Sequence, residues 1–348
     1  MKLEDLFQVV ADRAASDLLI SAGAPPTIRI NGELVPCACG QLSPVQTKKL
    51  VYECLTAEQQ KSFESRKELD LSVSRTNGVR YRVNCYEQKG AVAAAFRPIP
   101  DRVPSFEELG LPEGIEDIVK ARMGLVLVTG PAGHGKTTTQ AAVIDCINKT
   151  RACHIITVED PIEYVHYHGK SIVDQREVGG DTHSFNDALN HILRQDPDVI
   201  LIGEMRDLET IQAAIRAAET GHLVLATLHT NDAVQTVDRV IDVFPAGQQQ
   251  QVRFQLAMCL LSTISQRLIP RADGTGRVLA CEFLRANQAV ANLIRESKSH
   301  LIYGLMETGT KSGMLTLDRS IKELYLEGLI TYEEAAAHAK NPKDLGNL

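Results

Sequence analysis

Residues 130–137 constrain the fold of this chain more than any other segment. They read Gly-Pro-Ala-Gly-His-Gly-Lys-Thr and match the phosphate-binding P-loop pattern G-x-x-x-x-G-K-[ST]. The apolar run 125–129 predicts a buried strand before the loop, and a helical stretch from Thr138 to about Asn148 follows it. A chance glycine-rich turn is the alternative, but strand, loop and helix are the context that phosphate binding requires. The sequence therefore predicts binding of ATP or GTP.

Individual residues of the loop have predicted roles. The glycines let backbone N–H groups close on phosphate oxygens, which a Cβ would obstruct. Lys136 is expected to reach the β- and γ-phosphates, and the Thr137 hydroxyl is expected to bind Mg²⁺. The predicted nucleotide-binding residues of this segment are Gly130, Pro131, Ala132, Gly133, His134, Gly135, Lys136, Thr137 and Thr138.

Composition limits the class of protein. The 348 residues are enough for two domains, and the net charge of −7 gives no general electrostatic case for a nucleic-acid partner. We find no apolar run that could span a bilayer and no signal peptide at residues 1–5, so we expect a cytoplasmic protein. The eight cysteines include one close pair, Cys37-Ala38-Cys39, with nothing nearby to complete a zinc site. We therefore expect reduced thiols.

Residues 1–97 predict a smaller α+β domain with antiparallel strands. An amphipathic helix opens the chain, and capping boxes at Ser43 and Thr56 begin two further helices. Asn31-Gly32 and Asn77-Gly78 predict hairpin turns.

Three arginines are expected on neighbouring strands of this first domain. Arg80 and Arg82 alternate with apolar residues along one strand, and Arg97 ends the next. A solvated basic face is the plain interpretation. Alternatively, an arginine supplied from another domain or subunit stabilises charge on a transferring phosphate.

Residues 98–113 are rich in proline and predict a linker, and 114–348 predict a second domain. Apolar strands alternate there with helices, which favours a largely parallel sheet and an α/β fold. The predicted strands are 125–129, 154–158, 199–202, 223–228 and 278–283, and the predicted helices include 207–220, 232–242 and 248–268.

Polar residues follow the carboxyl ends of three of these strands, at the edge where open parallel sheets bind ligands. Glu159, Asp160 and Glu163 follow the second strand, Glu204 the third, and His229 the fourth, which starts beside His222. Each residue alone suggests a surface group, a helix cap or a structural histidine. Together they can supply the acidic Mg²⁺ partner and the water-positioning group that a P-loop needs. Gly203 occupies the position at which many P-loop enzymes have an aspartate. Glu204 is therefore expected to bind the metal through a water molecule.

Four long blocks resemble the secretion ATPase superfamily, and most closely the PilT-like retraction ATPases of type IV pili. The resemblance covers nearly the whole chain. Its blocks are the amino-terminal start from Ser16-Asp17-Leu18 to Pro26, the Asp box 158–164, the Walker B segment 193–207 and the His box 220–230.

This resemblance implies a RecA-like P-loop ATPase domain preceded by a PAS-like domain, assembled as a homohexamer that uses ATP and Mg²⁺. It implies that Glu163 activates water, that Glu204 holds the metal and that His229 senses the γ-phosphate. Glu159 and His222 are expected to line the nucleotide, and Arg82 and Arg97 to reach it. The implied partner is a platform protein at the inner membrane, so the location would be peripheral, on the cytoplasmic face.

Two departures from the family pattern bear on function. Ala132 and His134 replace the usual Thr and Ser of the P-loop, which could change the rate of hydrolysis. The carboxy-terminal signature reads Ala-Val-Ala-Asn-Leu-Ile-Arg-Glu at 289–296, with Ala291 in place of an arginine. In the family this segment is tied to retraction. Its spacing predicts a helix that buries Val290, Leu293 and Ile294.

Several functions remain open at this point. Pilus retraction is the leading hypothesis. An accessory ATPase that acts with a second retraction motor and a soluble P-loop kinase are alternatives. Pilus assembly and secretion relatives often carry a four-cysteine zinc module and an added amino-terminal domain, and neither is found here, which favours retraction.

Overall fold

The computed structural model describes residues 2–30, 32–74, 79–99 and 102–342. The chain falls into two compact units: Met1–Arg102 with Pro161–Tyr164, and Val103–Asp160 with Val165–Leu348. The division after Arg102 lies inside the stretch 98–113 that the sequence predicts as a linker. The assignment of Pro161–Tyr164 to the first unit was not predicted. Within the described residues, none of the helices has the length and hydropathy to cross a membrane.

The first unit is built on one antiparallel sheet. In the described part of this unit six strands lie in the order β3-β2-β1-β6-β5-β4, and every neighbouring pair is antiparallel. Its elements are α1 (Leu3–Asp12), β1 (Asp17–Ile20), β2 (Thr27–Ile30), β3 (Glu33–Pro36), α2 (Pro44–Tyr52), α3 (Ala57–Arg66), β4 (Glu68–Ser74), β5 (Arg80–Gln88) and β6 (Ala91–Pro98).

Helix α1 closes the core of this unit with an apolar stripe. Its Phe7 is fully buried and stacks on Tyr81 of β5, with ring centroids 4.0 Å apart. Both predicted capping boxes are present: Ser43 and Thr56 each accept the N–H of the residue three positions on, which satisfies a helix donor that would lack a partner. The predicted turn residues Asn31 and Asn77-Gly78 lie outside the described residues.

The second unit contains a seven-stranded sheet in the order β13-β12-β7-β11-β10-β8-β9. All neighbouring strands are parallel except β12 and β13. Its elements are α4 (Phe106–Leu109), α5 (Ile115–Lys120), β7 (Gly124–Thr129), α6 (Lys136–Thr150), β8 (His154–Glu159), β9 (Ile172–Glu177), α7 (Phe185–Ile192), β10 (Val199–Ile202), α8 (Leu208–Glu219), β11 (Leu223–Leu228), α9 (Ala233–Asp242), α10 (Ala246–Cys259), β12 (Leu260–Pro270), β13 (Arg277–Arg285), α11 (Gln288–Arg295), α12 (Ile302–Thr308), α13 (Leu317–Leu326) and α14 (Tyr332–His338).

The middle strands of this sheet carry continuous apolar runs because helices cover both faces. Every residue of β7, β10 and β11 is buried. Such runs are typical of parallel sheets that are enclosed on both sides. The predicted α/β class and the four predicted parallel strands are confirmed, and β9 is a further parallel strand that the sequence analysis missed.

The predicted helix 248–268 is wrong in its second half. Helix α10 ends at Cys259, and the chain continues directly as strand β12. Apolar residues at 256, 260, 264 and 268 misled the prediction, because a spacing of four residues keeps side chains on one face of a helix and also on one face of a strand. Buried Thr263 favours the strand, since a β-branched residue fits a pleated surface better than a helix interior.

Helix α11 matches its predicted orientation. Val290 and Ile294 are fully buried and Leu293 packs against the same core, whereas Asn292 and Glu296 are exposed. Ala291 is half-buried between these two faces.

One histidine links the stability of the second unit to acidity. Burial lowers the pKa of His166 to about 4, against a usual value of about 6.5 in an unfolded chain. Between these values the unfolded state binds the proton and the folded state does not, so the free energy of unfolding should fall as pH falls from about 6.5 towards 4.

We expect His166→Gln to reduce this acid-dependent loss, measured as urea midpoints at pH 8, 6 and 5. His183→Gln, which changes an exposed histidine of the same unit, is the matched control. Equal acid sensitivity of wild type and His166→Gln would contradict the prediction.

Candidate nucleotide site

The P-loop joins β7 to α6 through a backbone that only glycine adopts easily. Gly130, Gly133 and Gly135 have φ values of 138°, 74° and 83°. A Cβ on Gly130 would collide with the carbonyl oxygen of Gln266 on β12, whereas one on Gly133 would meet nothing within 4 Å. The loop is therefore pressed against β12 at Gly130, whereas a side chain at Gly133 would have open space.

Lys136 begins α6 and is only 8% exposed. Its ammonium donates to the carbonyl oxygens of Gly130 at 2.8 Å and Pro131 at 3.0 Å, and it lies 3.2 Å from Nδ1 of His229. These three acceptors are neutral groups. Phosphate oxygens carry charge and form stronger hydrogen bonds with an ammonium, so they can displace the carbonyls.

His229 and Glu204 extend this contact along the sheet edge. An ammonium can only donate, so Nδ1 of His229 accepts and its Nε2–H donates to Glu204 Oε1 at 2.9 Å. The other carboxylate oxygen of Glu204 accepts from Arg206 at 2.8 Å. The residues that follow β7, β10 and β11 are thus joined in one chain of hydrogen bonds.

Glu204 keeps its negative charge in this setting. Burial alone would raise the pKa of its carboxyl, but the Arg206 guanidinium and His229 outweigh that effect and hold the pKa below its usual value. Arg206 was not among the predicted site residues. The sequence signal that could have identified Arg206 as a site residue is its position two residues after Glu204.

Glu159 ends β8 and is 6% exposed. Its Oε1 accepts the hydroxyl of Thr157 at 2.6 Å and the amide of Gln175 on β9 at 3.1 Å. These bonds fix the carboxylate against the strand that follows it in the sheet. Gln175 was also not predicted, because β9 itself was missed.

The predicted residues Arg82, Arg97 and Glu163 belong to the first unit. Arg82 and Arg97 are paired across β5 and β6, as expected for neighbouring strands. Arg82 forms an ion pair with Glu163 at 3.3 Å, and Arg97 donates to Asp17 at 2.9 and 2.8 Å. The structure therefore brings Arg82 to Glu163, and gives Arg97 a partner that the sequence analysis did not assign.

His222 lies at the opposite edge of the second sheet, at the start of β11. Its Nδ1 contacts the carbonyl oxygen of Ala217 at 2.9 Å and the hydroxyl of Thr220 at 3.2 Å, so it closes the end of α8. Within this chain it is not brought to the P-loop, and its nucleotide role remains a prediction.

The donor set fits a nucleotide accompanied by Mg²⁺. Lys136 and the glycine cradle suit phosphate, and α6 begins at the loop, where its positive end favours an anion. The Thr137 hydroxyl and the charged Glu204 carboxylate are oxygen ligands, which Mg²⁺ prefers. The metal roles of Thr137 and Glu204, like the contacts of Ala132 and Thr138 with nucleotide, remain predictions.

Two glycine substitutions test this geometry. We expect Gly130→Ala to abolish measurable nucleotide binding, because the new Cβ requires either the loop or β12 to move. Gly133→Ala adds only the strain of a left-handed backbone, about 1–2 kcal/mol, and should weaken binding by no more than roughly thirtyfold. Nucleotide titration of folded variants measures both. Equal binding by the two variants would contradict the geometry.

Comparisons with known proteins identify relatives of this chain. The profile of the type II/IV secretion system protein family matches residues 66–300. The type IV pilus retraction ATPase PilT of Pseudomonas aeruginosa is 47% identical over 344 residues, which cover 99% of this chain and 100% of that protein. The type IV pilus ATPase PilU of the same organism is 42% identical over 345 residues, covering 99% and 90%.

A crystal structure of the pilus retraction motor PilT with bound ADP superposes with a TM-score of 0.94 at 47% identity and covers 100% of both chains. The predicted fold, a P-loop ATPase domain with a smaller amino-terminal domain, is thereby confirmed, as is the predicted enzyme class, an ATPase. This chain belongs to the type II/IV secretion system protein family.

Proposed function

We propose that this chain is the motor ATPase of type IV pilus retraction. The observation that carries the proposal is the hydrogen-bonded chain Lys136–His229–Glu204 at the carboxyl edge of the sheet. It joins the phosphate-binding lysine to a carboxylate through one imidazole. Full-length similarity to a pilus retraction ATPase supports the biological role.

Phosphate binding would change this chain of hydrogen bonds directly. When Lys136 turns from the loop carbonyls and from His229 to phosphate oxygens, Nδ1 of His229 loses its hydrogen-bond donor. The imidazole is then free to reorient, and its Nε2–H contact with Glu204 changes with it. His229 can thereby report the γ-phosphate to Glu204, which is the sensing role that the family resemblance implies.

Thr137 and Glu204 are the residues that would hold Mg²⁺, which accompanies ATP as part of the substrate. The ion would neutralise charge on the phosphate oxygens. Because Arg206 keeps Glu204 charged, the carboxylate can bind the ion directly or through water without first losing a proton.

Glu163 is the better candidate than Glu159 for activating water. Glu163 is half-buried and pairs with Arg82 through Oε1. Glu159 is buried, and two donors already bond its Oε1. A general base must reach water and accept its proton, so the more accessible carboxylate suits the task, and Glu159 suits a role in fixing β8 to β9.

Arg97 suits a contact with the nucleotide of a neighbouring subunit. Its side chain is 67% exposed even though it bonds Asp17. A guanidinium in this state can reach charged phosphate on another molecule. We therefore propose a homohexamer in which Arg97, or Arg82, acts across subunits, and a platform protein as partner at the cytoplasmic face of the inner membrane.

An accessory role is the second candidate function. The 42% identity to the pilus ATPase PilU over nearly the whole chain supports it, as does Ala291 in the carboxy-terminal signature. In this case the chain would act with a second retraction ATPase. Loss of the chain would then weaken retraction without stopping it.

The first test removes the proposed base. Glu163→Gln should leave nucleotide binding nearly intact and lower hydrolysis at least roughly a hundredfold, because the amide cannot accept a proton. Glu159→Gln is the comparison, and we expect it to reduce turnover far less. Near-normal phosphate release by Glu163→Gln together with its loss in Glu159→Gln would assign the base to Glu159.

The same substitution in the native gene tests the biological role. Cells with Glu163→Gln, or with the gene deleted, should carry excess pili and lose surface motility if the chain is the sole retraction motor. Absent pili would indicate an assembly motor instead. Partial motility would favour the accessory role.

The second test concerns assembly. We expect a mixture of Arg97→Ala and Glu163→Gln subunits to recover part of the activity that each variant lacks alone, because some sites would combine one intact half from each. The measurement is phosphate release across mixing ratios. A protein that stays monomeric with ATP, or a mixture with only the sum of the two activities, would rule out shared sites.

A further inference from the structure

His134 occupies the fifth position of the P-loop, and its side chain is bonded to a neighbouring strand. Its Nδ1 accepts the backbone N–H of Leu268 on β12 at 2.9 Å. β12 pairs with β7 only as far as Ser265, opposite Thr129, and then continues to Pro270 beside β13. Leu268 is half-buried, where a backbone N–H without an acceptor is costly, and β7 has ended before this residue. His134 supplies that acceptor.

Other contacts hold the loop at the same place. Gly130 lies against the carbonyl oxygen of Gln266, two residues before Leu268 on β12. The guanidinium of Arg277, on β13, donates to the carbonyl oxygen of Gly133 at 3.3 Å. The loop thus lies against the β12–β13 hairpin at its first residue and is hydrogen-bonded to it at its fourth and fifth residues.

The bond from Leu268 requires a neutral imidazole, because a protonated ring has no acceptor. Partial burial lowers the pKa of His134, and the surrounding cations add to this effect. The cations are Arg277 of β13, Lys136 of α6 and Arg267 of β12, and His338 of α14 is a further titratable group beside the ring. The surroundings therefore keep Nδ1 available near neutral pH.

We propose that His134 is a positioning residue for nucleotide, which holds the P-loop against β12 by accepting the Leu268 N–H before phosphate arrives. The inference rests on the nucleotide binding proposed above. A loop that is already ordered loses less conformational freedom when it closes on phosphate. The benefit should therefore appear in nucleotide affinity and in KM more than in kcat.

Three substitutions separate the acceptor from the shape of the side chain. Asn places its Oδ1 where Nδ1 of the histidine lies, Gln places its amide nearer the position of Nε2, and Leu offers no acceptor. In competition with a fluorescent ADP analogue, with magnesium chelated, His134→Asn should bind ADP within about twofold of wild type. His134→Gln and His134→Leu should bind roughly three- to tenfold more weakly, the scale of one hydrogen bond. His300→Leu, at an exposed histidine of the same unit, should change nothing.

Hydrogen exchange of the nucleotide-free protein tests the contact separately. The Leu268 amide should exchange slowly in wild type and His134→Asn, and faster in His134→Gln and His134→Leu. Equal affinity in the Asn and Leu variants, or equal exchange in all four proteins, would overturn the proposal. A wild type that protects Leu268 but binds no nucleotide would instead refute the proposed function, and with it the benefit to affinity.

Discussion

The buried ammonium of Lys136 is the constraint on which the rest of the second unit depends. A charge removed from water is costly unless polar groups surround it. Two carbonyls of its own loop and the imidazole of His229 meet that need. The carbonyls come from residues that follow β7, and the imidazole from the residue after β11. The parallel pairing of these strands therefore has to be in register for the lysine to be accommodated.

The same edge separates two kinds of carboxylate. Glu204 is held by Arg206 and His229 and stays charged despite burial. Glu159 is bonded to side chains of its own strand and of β9. One carboxylate thus faces the phosphate-binding lysine through an imidazole, and the other stabilises the sheet. Both carboxylates lie at the end of a strand, so their positions alone do not distinguish their roles. Their hydrogen-bond partners do.

Much of the fold could be predicted from the sequence because its signals are local. The P-loop, the capping boxes and the enclosed parallel strands each depend on a few consecutive residues. The edge location of Glu204 and His229 followed from strand ends. What could not be predicted depends on partners distant in the chain. The bond between His134 and Leu268 spans 134 positions and involves a backbone N–H, which has no sequence signature. The strand that carries it was predicted as helix, because its apolar spacing fits both structures. Asp17 as the partner of Arg97, 80 positions away in the chain, is likewise a tertiary contact.

The position of β12 has a mechanical consequence. On one side its Leu268 and Gln266 meet the P-loop, and the side chain of Arg267, between them, donates to the carbonyl oxygen of His338 at the end of α14 at 3.1 Å. A strand bonded along its length to β13 moves as a unit rather than residue by residue. A change in the P-loop must therefore either break its bond to Leu268 or shift β12. A shift of β12 would carry Arg267 with it and pull on α14, so that α14 and the phosphate-binding loop are attached to the same strand.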